Sequence, residues 1–288
     1  MKTGMNKNIK GSIMLLLTAI IWGFAFVAQS VGINSTGPFA FNGIRNIIGG
    51  LVLIPVILII NKGHIKQVLT RDAVIGGLCC GACLFVASTF QQWGIVLSTV
   101  GKASFITALY VVIVPIMGVF IGKKVSIRVW IGVALSLAGL YLLCMTDSFT
   151  IGAGDIYLLI CAACFSIHIL VIDYFSPKAD GVVISCIQFF VAGILCLIVM
   201  AFTENTTWEK IYAGRYAILY AGVLSCGVAY TLQVVYQKDV EPTAASLILC
   251  LESVFGAIGG WLLLGQKLSA REIAGCALMF LAIVLAQF

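Results

Sequence analysis

Apolar runs of about 18 to 24 residues, each closed by a short cluster of charges, follow one another along all 288 residues, and each is long enough to cross a hydrocarbon core of about 30 Å as a helix. Such a pattern leaves few alternatives. A helix of a soluble domain carries a polar stripe on its outer side and is bounded sooner. Only 10% of the residues are charged and 61% are hydrophobic, against roughly 25% charged in an average soluble domain. The chain is therefore read as an all-α polytopic membrane protein. Ten candidate spans follow from the runs: 11–30, 38–60, 73–94, 101–121, 127–144, 154–172, 181–202, 214–237, 243–264 and 269–287. The run after the basic segment Met1–Lys10 is too long for the apolar region of a signal peptide and reads as the first span.

Lysine and arginine near the span ends set the orientation. With the N-terminus inside, the inner side holds eleven of them, from Lys2, Lys7 and Lys10 to Lys178 and Lys238. The outer side holds five: Lys102, Lys210, Arg215, Lys267 and Arg271. Both termini are thus expected in the cytoplasm, in a multi-pass protein of the cytoplasmic membrane. The net charge of +6 fits basic loops beside anionic lipid and calls for no nucleic acid. No phosphate-binding glycine loop, ATP-binding motif or cofactor motif occurs, so any transport is driven by gradients. Nearly all of the eleven cysteines lie inside apolar runs, where cysteine behaves as a small hydrophobe.

The chain also contains a duplication. A shift of 143 residues brings Gly122, Lys124, Ser126, Arg128, Gly132, Ala134 and Leu135 onto Gly265, Lys267, Ser269, Arg271, Gly275, Ala277 and Leu278. The same shift brings Gly11, Ile13, Leu15, Leu16 and Ala19 onto Gly154, Ile156, Leu158, Leu159 and Ala162. Apolar helices match one another easily by chance; a Gly-x-Lys-x-Ser-x-Arg turn in fixed register does not. Residues 1–145 and 154–288 thus form two five-helix repeats joined near 146–153. Five is odd, so the second repeat enters the membrane from the opposite side. Inverted repeats of this kind build secondary transporters, in which two copies of one shape exchange roles around a central site.

With these features the chain resembles the EamA-type branch of the drug/metabolite transporter superfamily, over about residues 10–287. The resemblance rests on the two repeats, on Trp22 and Phe165 in their first helices, and on Arg45 early in the second span. It rests also on the stretches IMGVFIGKKVSIRVWIGVALSLAGLYLL and VFGAIGGWLLLGQKLSAREIAGCALMFLAIVL. It implies a ten-helix transporter with cytoplasmic termini and a central cavity shared by the repeats. Relatives of that kind carry amino acids, other metabolites, choline-like cations or drugs, and many export them. The chain departs from the family pattern at Lys123 and Gln266, where Gly-Glu is usual, and at Ser253, where Glu-Pro is usual.

Charged and polar residues deep in spans are the candidates for the site, because an ionisable group there faces a cavity or a partner. Glu252, near mid-membrane, could exchange a proton or bind an amino group, or hydrogen-bond across helices. Arg45, about 12 Å from the nearer face by helical rise, could receive a carboxylate, reach headgroups or cap a helix. His168 can titrate or simply pack. Asn42, Gln91, Gln188 and Gln233 add polar groups, and Trp22, Tyr110 and Tyr230 could wall a cavity for a small amphipathic solute. Trp93, Trp208 and Trp261 read better as interfacial belt residues.

The expected function is a secondary transporter for a small metabolite, an amino acid or related solute first and an organic cation or drug second. The expected partners are that solute, the bilayer and, as a coupling ion, protons, in a monomer or homodimer. An enzyme would need a constellation that two histidines far apart in sequence do not supply. A channel or scramblase would carry a repeated pore-lining charge pattern, which is missing.

Overall fold

The structure is a computed structural model that describes residues 2–98, 100–144, 152–265 and 267–287. Ten helical spans follow one another. They are α1 Lys2–Thr36, α2 Pro38–Ile60, α3 Arg71–Leu97, α4 Val100–Phe120, α5 Ile127–Cys144, α6 Ala153–Phe175, α7 Gly181–Thr203, α8 Arg215–Tyr236, α9 Pro242–Leu264 and α10 Ala270–Gln287. Among the described residues nine helices are long and apolar enough to cross a membrane. The 18-residue α10, packed along α5, makes the tenth span. Large apolar side chains such as Ile59, Phe120, Phe202 and Leu263 are exposed on the outside, where hydrocarbon meets them.

Local chemistry explains where the spans begin and end. Thr70 accepts a hydrogen bond from the Ala73 amide and Asp180 accepts from Val182 and Val183, so each caps the helix that follows. Pro38 and Pro242 occupy first turns, where a missing N–H costs nothing. Gly122 and Gly265, equivalent under the 143-residue shift, both end a span with positive φ, 83° and 66°. A residue with a Cβ would be strained there. The connections hold two short helices as well, 65–68 and 208–213, where the sequence suggested only polar loop. The expected junction at 146–153 lies mostly outside the described residues.

The packing obeys the duplication. α3 lies on α6, as α8 lies on α1; α3 lies on α7, as α8 lies on α2; α4 lies on α6, as α9 lies on α1. Two pairs, α2 with α7 and α5 with α10, are their own counterparts. This is a pseudo-two-fold arrangement of inverted repeats, with both ends of the chain on one face, called here the terminal face. Buried apolar side chains form two main clusters, one around α4, α5, α9 and α10 and one around α2, α3, α7 and α8. Trp22 and Phe165, which the shift superposes, pack against both clusters and mark the seam between them.

Three spans are irregular where the sequence suggested continuous helices. α4 breaks at Ala108–Leu109 and α9 at Cys250–Leu251, within a residue of equivalence. At both breaks the ladder tightens to i→i−3 bonds, Leu109 N to Ile106 O and Leu251 N to Ile248 O, each 3.2 Å. Pro115 lies six residues beyond the first break and no proline lies inside α9, so proline alone does not make them. In α8, residues Tyr220–Tyr230 wind as a π-helix, a rare form common at functional sites.

Candidate functional site

The two clusters leave a partly open cavity at the seam, with about 540 Å³ of space that includes its mouth. Of this only about 40 Å³ admits the centre of a water-sized sphere, room for a few waters. A solute of metabolite size therefore needs the walls to part.

The walls are built symmetrically. Trp22 and Phe26 on α1 face it, and so do their equivalents Phe165 and Ile169 on α6. One helical face of α1 supplies Trp22, Phe26 and Gln29, spaced at i, i+4 and i+7. The π-helical stretch of α8 contributes Ser225 and Tyr230, and Gln233 follows one turn later. Tyr230 is packed by Trp22, with ring centroids 4.4 Å apart, and edge-on by His168 at 6.2 Å and Phe189 at 6.0 Å. The breaks in α4 and α9 present Thr107, Tyr110, Leu249 and Glu252 to the same space.

Of the ten residues singled out in the sequence, eight line this cavity: Trp22, Arg45, Gln91, Tyr110, His168, Tyr230, Gln233 and Glu252. Asn42 and Gln188 do not. Asn42 is buried on α2, one turn from Arg45, with neither side-chain polar atom hydrogen-bonded. Gln188 stands behind His168 and holds its Nε2 through Oε1 at 3.1 Å. Trp93, Trp208 and Trp261 are exposed on the outer surface, away from the cavity. Gln29, Phe26, Thr107 and Ser225 escaped the sequence reading. The α1 face that carries Trp22 pointed to the first two.

Two charged groups face the cavity and do not pair with each other. Glu252, the first residue of the second half of α9, accepts a hydrogen bond from the Tyr110 hydroxyl at 3.1 Å. Next to it Ser253 shares a 2.9 Å bond with Ser104, so the second half of α9 is bonded to α4 on both sides of the α4 break. Arg45 is only 3% exposed. Its guanidinium lies over the Phe41 ring at 5.6 Å, and its Nε has no hydrogen-bond partner. Among the described residues no carboxylate lies within ion-pair distance of it. It neither caps a helix nor reaches the outer surface. A buried, unpaired guanidinium on a cavity wall has the chemistry to accept an anion. An acid on the same wall can take a proton or a cationic group.

Amide side chains bond helices together toward both ends of the cavity. Toward the face opposite the termini, Gln92 Nε2 on α3 donates to Gln29 Oε1 on α1 at 3.0 Å. Toward the terminal face, Gln233 donates to Gln237 at 3.0 Å, and Gln237 Nε2 donates to the Ile169 carbonyl of α6 at 2.7 Å.

Comparison with known proteins agrees with this architecture. Residues 9–145 and 152–288 each match the EamA-like transporter family. A protein of Archaeoglobus fulgidus described as an uncharacterized transporter is 30% identical over 97% of this chain and 86% of its own length. YoaV of Bacillus subtilis, also described as an uncharacterized transporter, is 22% identical over 97% of both chains. A WAT1-related chloroplastic protein of Arabidopsis thaliana is 22% identical over 96% of this chain and 69% of its own. A crystal structure superposes with a TM-score of 0.83 at 17% identity, covering 97% of this chain and 96% of that one, a likeness of fold.

Proposed function

Since the chain belongs to the EamA-like transporter family and is a multi-pass membrane transporter, we propose that it carries an amino acid or a related small zwitterion by alternating access. The observation that carries the reading is the pair of unlike charges on one cavity wall system. Arg45 is free to receive a carboxylate and Glu252 to receive an ammonium group, with no ion pair between them to be broken first. Aromatic walls at Trp22, Phe26, Phe165 and Tyr230 supply apolar contact for a side chain. The breaks of α4 and α9 lie beside Glu252, as broken helices flank the sites of other inverted-repeat carriers.

The lysine and arginine distribution supports a cytoplasmic-membrane protein with its terminal face in the cytoplasm. Glu252 is the group through which a proton would couple to transport. A second reading, a carrier of organic cations or drugs, is favoured by the aromatic rings gathered around a single acid, since such rings hold cationic heads. The two readings differ in what Arg45 does. A thermal-shift series on purified protein separates them: an amino acid, its carboxamide, and the amine that its decarboxylation leaves. Zwitterion transport predicts stabilisation by the amino acid and at least about ten-fold weaker binding of both analogues, as expected for a lost charge-assisted bond. Equal stabilisation by the bare amine selects the cation carrier.

A further inference from the structure

Trp22 Nε1 and Gln233 Oε1 are buried and have no hydrogen-bond partner, and both residues line the cavity. Arg45 Nε shares this state. A buried polar atom without a partner costs free energy, and a fold keeps few of them. On the walls of a binding cavity, such atoms are the ones a solute can satisfy.

Chemistry fixes what each atom offers. An indole N–H only donates. A glutamine can present either end of its amide, but here a backbone carbonyl decides which. The Ile169 carbonyl of α6 only accepts, so Gln237 turns its Nε2 to it, at 2.7 Å. Gln237 Oε1 is then the end that meets Gln233, and it accepts from Gln233 Nε2 at 3.0 Å. Turning Gln233 over would set oxygen against oxygen. The relay is buried throughout, so water does not compete for the amides. What it leaves on the cavity side is Gln233 Oε1, an acceptor of fixed direction. The donor stands near it: Gln233 follows Tyr230 by three residues on α8, and the Tyr230 and Trp22 ring centroids are 4.4 Å apart.

We propose that Trp22 and Gln233 are the specificity pair of the cavity, so that the solute is an amino acid with a carboxamide or hydroxyl side chain. That group accepts from the indole N–H and donates to the Gln233 side-chain oxygen. Gln237 is a positioning residue, which holds Gln233 in the required direction. The proposal rests on the zwitterion reading, in which Arg45 and Glu252 take the carboxylate and the ammonium, and names what meets the third end of the solute. The aromatic faces around the cavity remain in contact with the side-chain stem. An apolar side chain of the same shape would leave both buried atoms unmet, and a site built to bond a polar group rejects such an analogue.

The test is binding to the full chain in lipid nanodiscs, read as thermal shift over a concentration series. Two near-isosteric pairs are compared, asparagine with leucine and threonine with valine. The polar member of at least one pair is expected to bind at least about ten-fold more tightly than its apolar twin. Trp22→Phe keeps an aromatic ring and removes the N–H; Gln233→Met keeps the length and removes the acceptor. Each is expected to weaken that polar member about ten-fold and to leave its twin within about two-fold. Gln237→Met frees the Gln233 amide to turn and is expected to reduce the preference in the same way. Leucine and valine binding as tightly as asparagine and threonine overturns the proposal and leaves the zwitterion reading standing. No stabilisation by any of the four overturns both. A preference that survives in both Trp22→Phe and Gln233→Met overturns the proposal too. So does equal weakening of both members of a pair in those variants, which marks damage to the fold rather than loss of a bond.

Discussion

Replacing Arg45 by methionine separates a binding role from a structural one, because the two readings predict stability changes of opposite sign. A structural arginine satisfies partners, and removing one member of a buried ion pair costs about 3–5 kcal/mol. Arg45 has no such partner among the described residues, and its Nε is unsatisfied. What the fold loses on substitution is the contact of the guanidinium with Phe41 at 5.6 Å, about 0.5–2 kcal/mol. What it gains is relief from holding an unpaired cation out of bulk water, several kcal/mol for a dry site and less for one facing a cavity that holds a few waters. Methionine keeps much of the stem packing, so the net change is expected to lie between zero and about 2 kcal/mol of added stability. Binding moves the other way. Losing a charge-assisted bond to a carboxylate costs about 1.5–3 kcal/mol, or roughly 10- to 150-fold in affinity. Unfolding midpoints in nanodiscs, measured with and without an amino acid that stabilises the unaltered protein, read both quantities on one sample. A loss of stability of about 3 kcal/mol or more refutes the argument, since only an essential structural partner could account for it.

Substitutions at four other positions probe the coupling, the α5–α10 crossing and the cap of α2. Glu252→Gln keeps a hydrogen-bonding side chain beside Tyr110 but cannot exchange a proton, so transport in proteoliposomes is expected to lose its pH dependence; unchanged dependence takes Glu252 out of the coupling role. Where α5 crosses α10, a Cβ on Gly139 would stand 2.7 Å from the Gly275 carbonyl oxygen, and one on Gly275 would stand 2.6 Å from that of Gly139. Either change to alanine is expected to destabilise by about 1–3 kcal/mol, and the double variant by less than the sum, because one outward shift of the helices relieves both clashes; detergent or thermal unfolding reads the coupling. Glu204 accepts the Phe39 and Ala40 amides at 2.8 and 2.9 Å and so caps α2 from the end of α7. Glu204→Ala is expected to cost about 1–2 kcal/mol, seen as a lowered unfolding midpoint with transport direction unchanged.

The spans and the duplication were legible in the sequence because both depend on residue type alone. Length and apolarity identify a crossing, and a polar turn repeated in fixed register identifies a copy. Trp22 and Phe165 followed from that register, and the seam they mark is where the cavity lies. The facing of individual polar residues was less legible. Asn42 and Arg45 are three residues apart and neighbours on one side of α2, yet only Arg45 lines the cavity, a distinction that helical spacing alone does not make. Gln188 occupies the place of Arg45 in the second repeat but stands behind His168, to which it is hydrogen-bonded. The helix breaks left no mark in composition. Leu109 and Leu251 are good helix formers, and the ladder tightens there for reasons of packing between α4 and α9 rather than local propensity. The amide contacts between helices were hidden for another reason: Gln29 with Gln92, and Gln237 with Ile169, lie far apart in sequence and do not coincide under the repeat.

If Arg45 and Glu252 hold the two ends of one zwitterion, solute counterflow in proteoliposomes will show it. Vesicles loaded with an unlabelled amino acid that stabilises the protein should accumulate the labelled form transiently, while its carboxamide and its decarboxylated amine, loaded in its place, should drive little or none. Arg45→Met should erase the preference for the carboxylate and Glu252→Gln the preference for the amine. Counterflow driven equally well by the bare amine, and left intact by Arg45→Met, would contradict the claim.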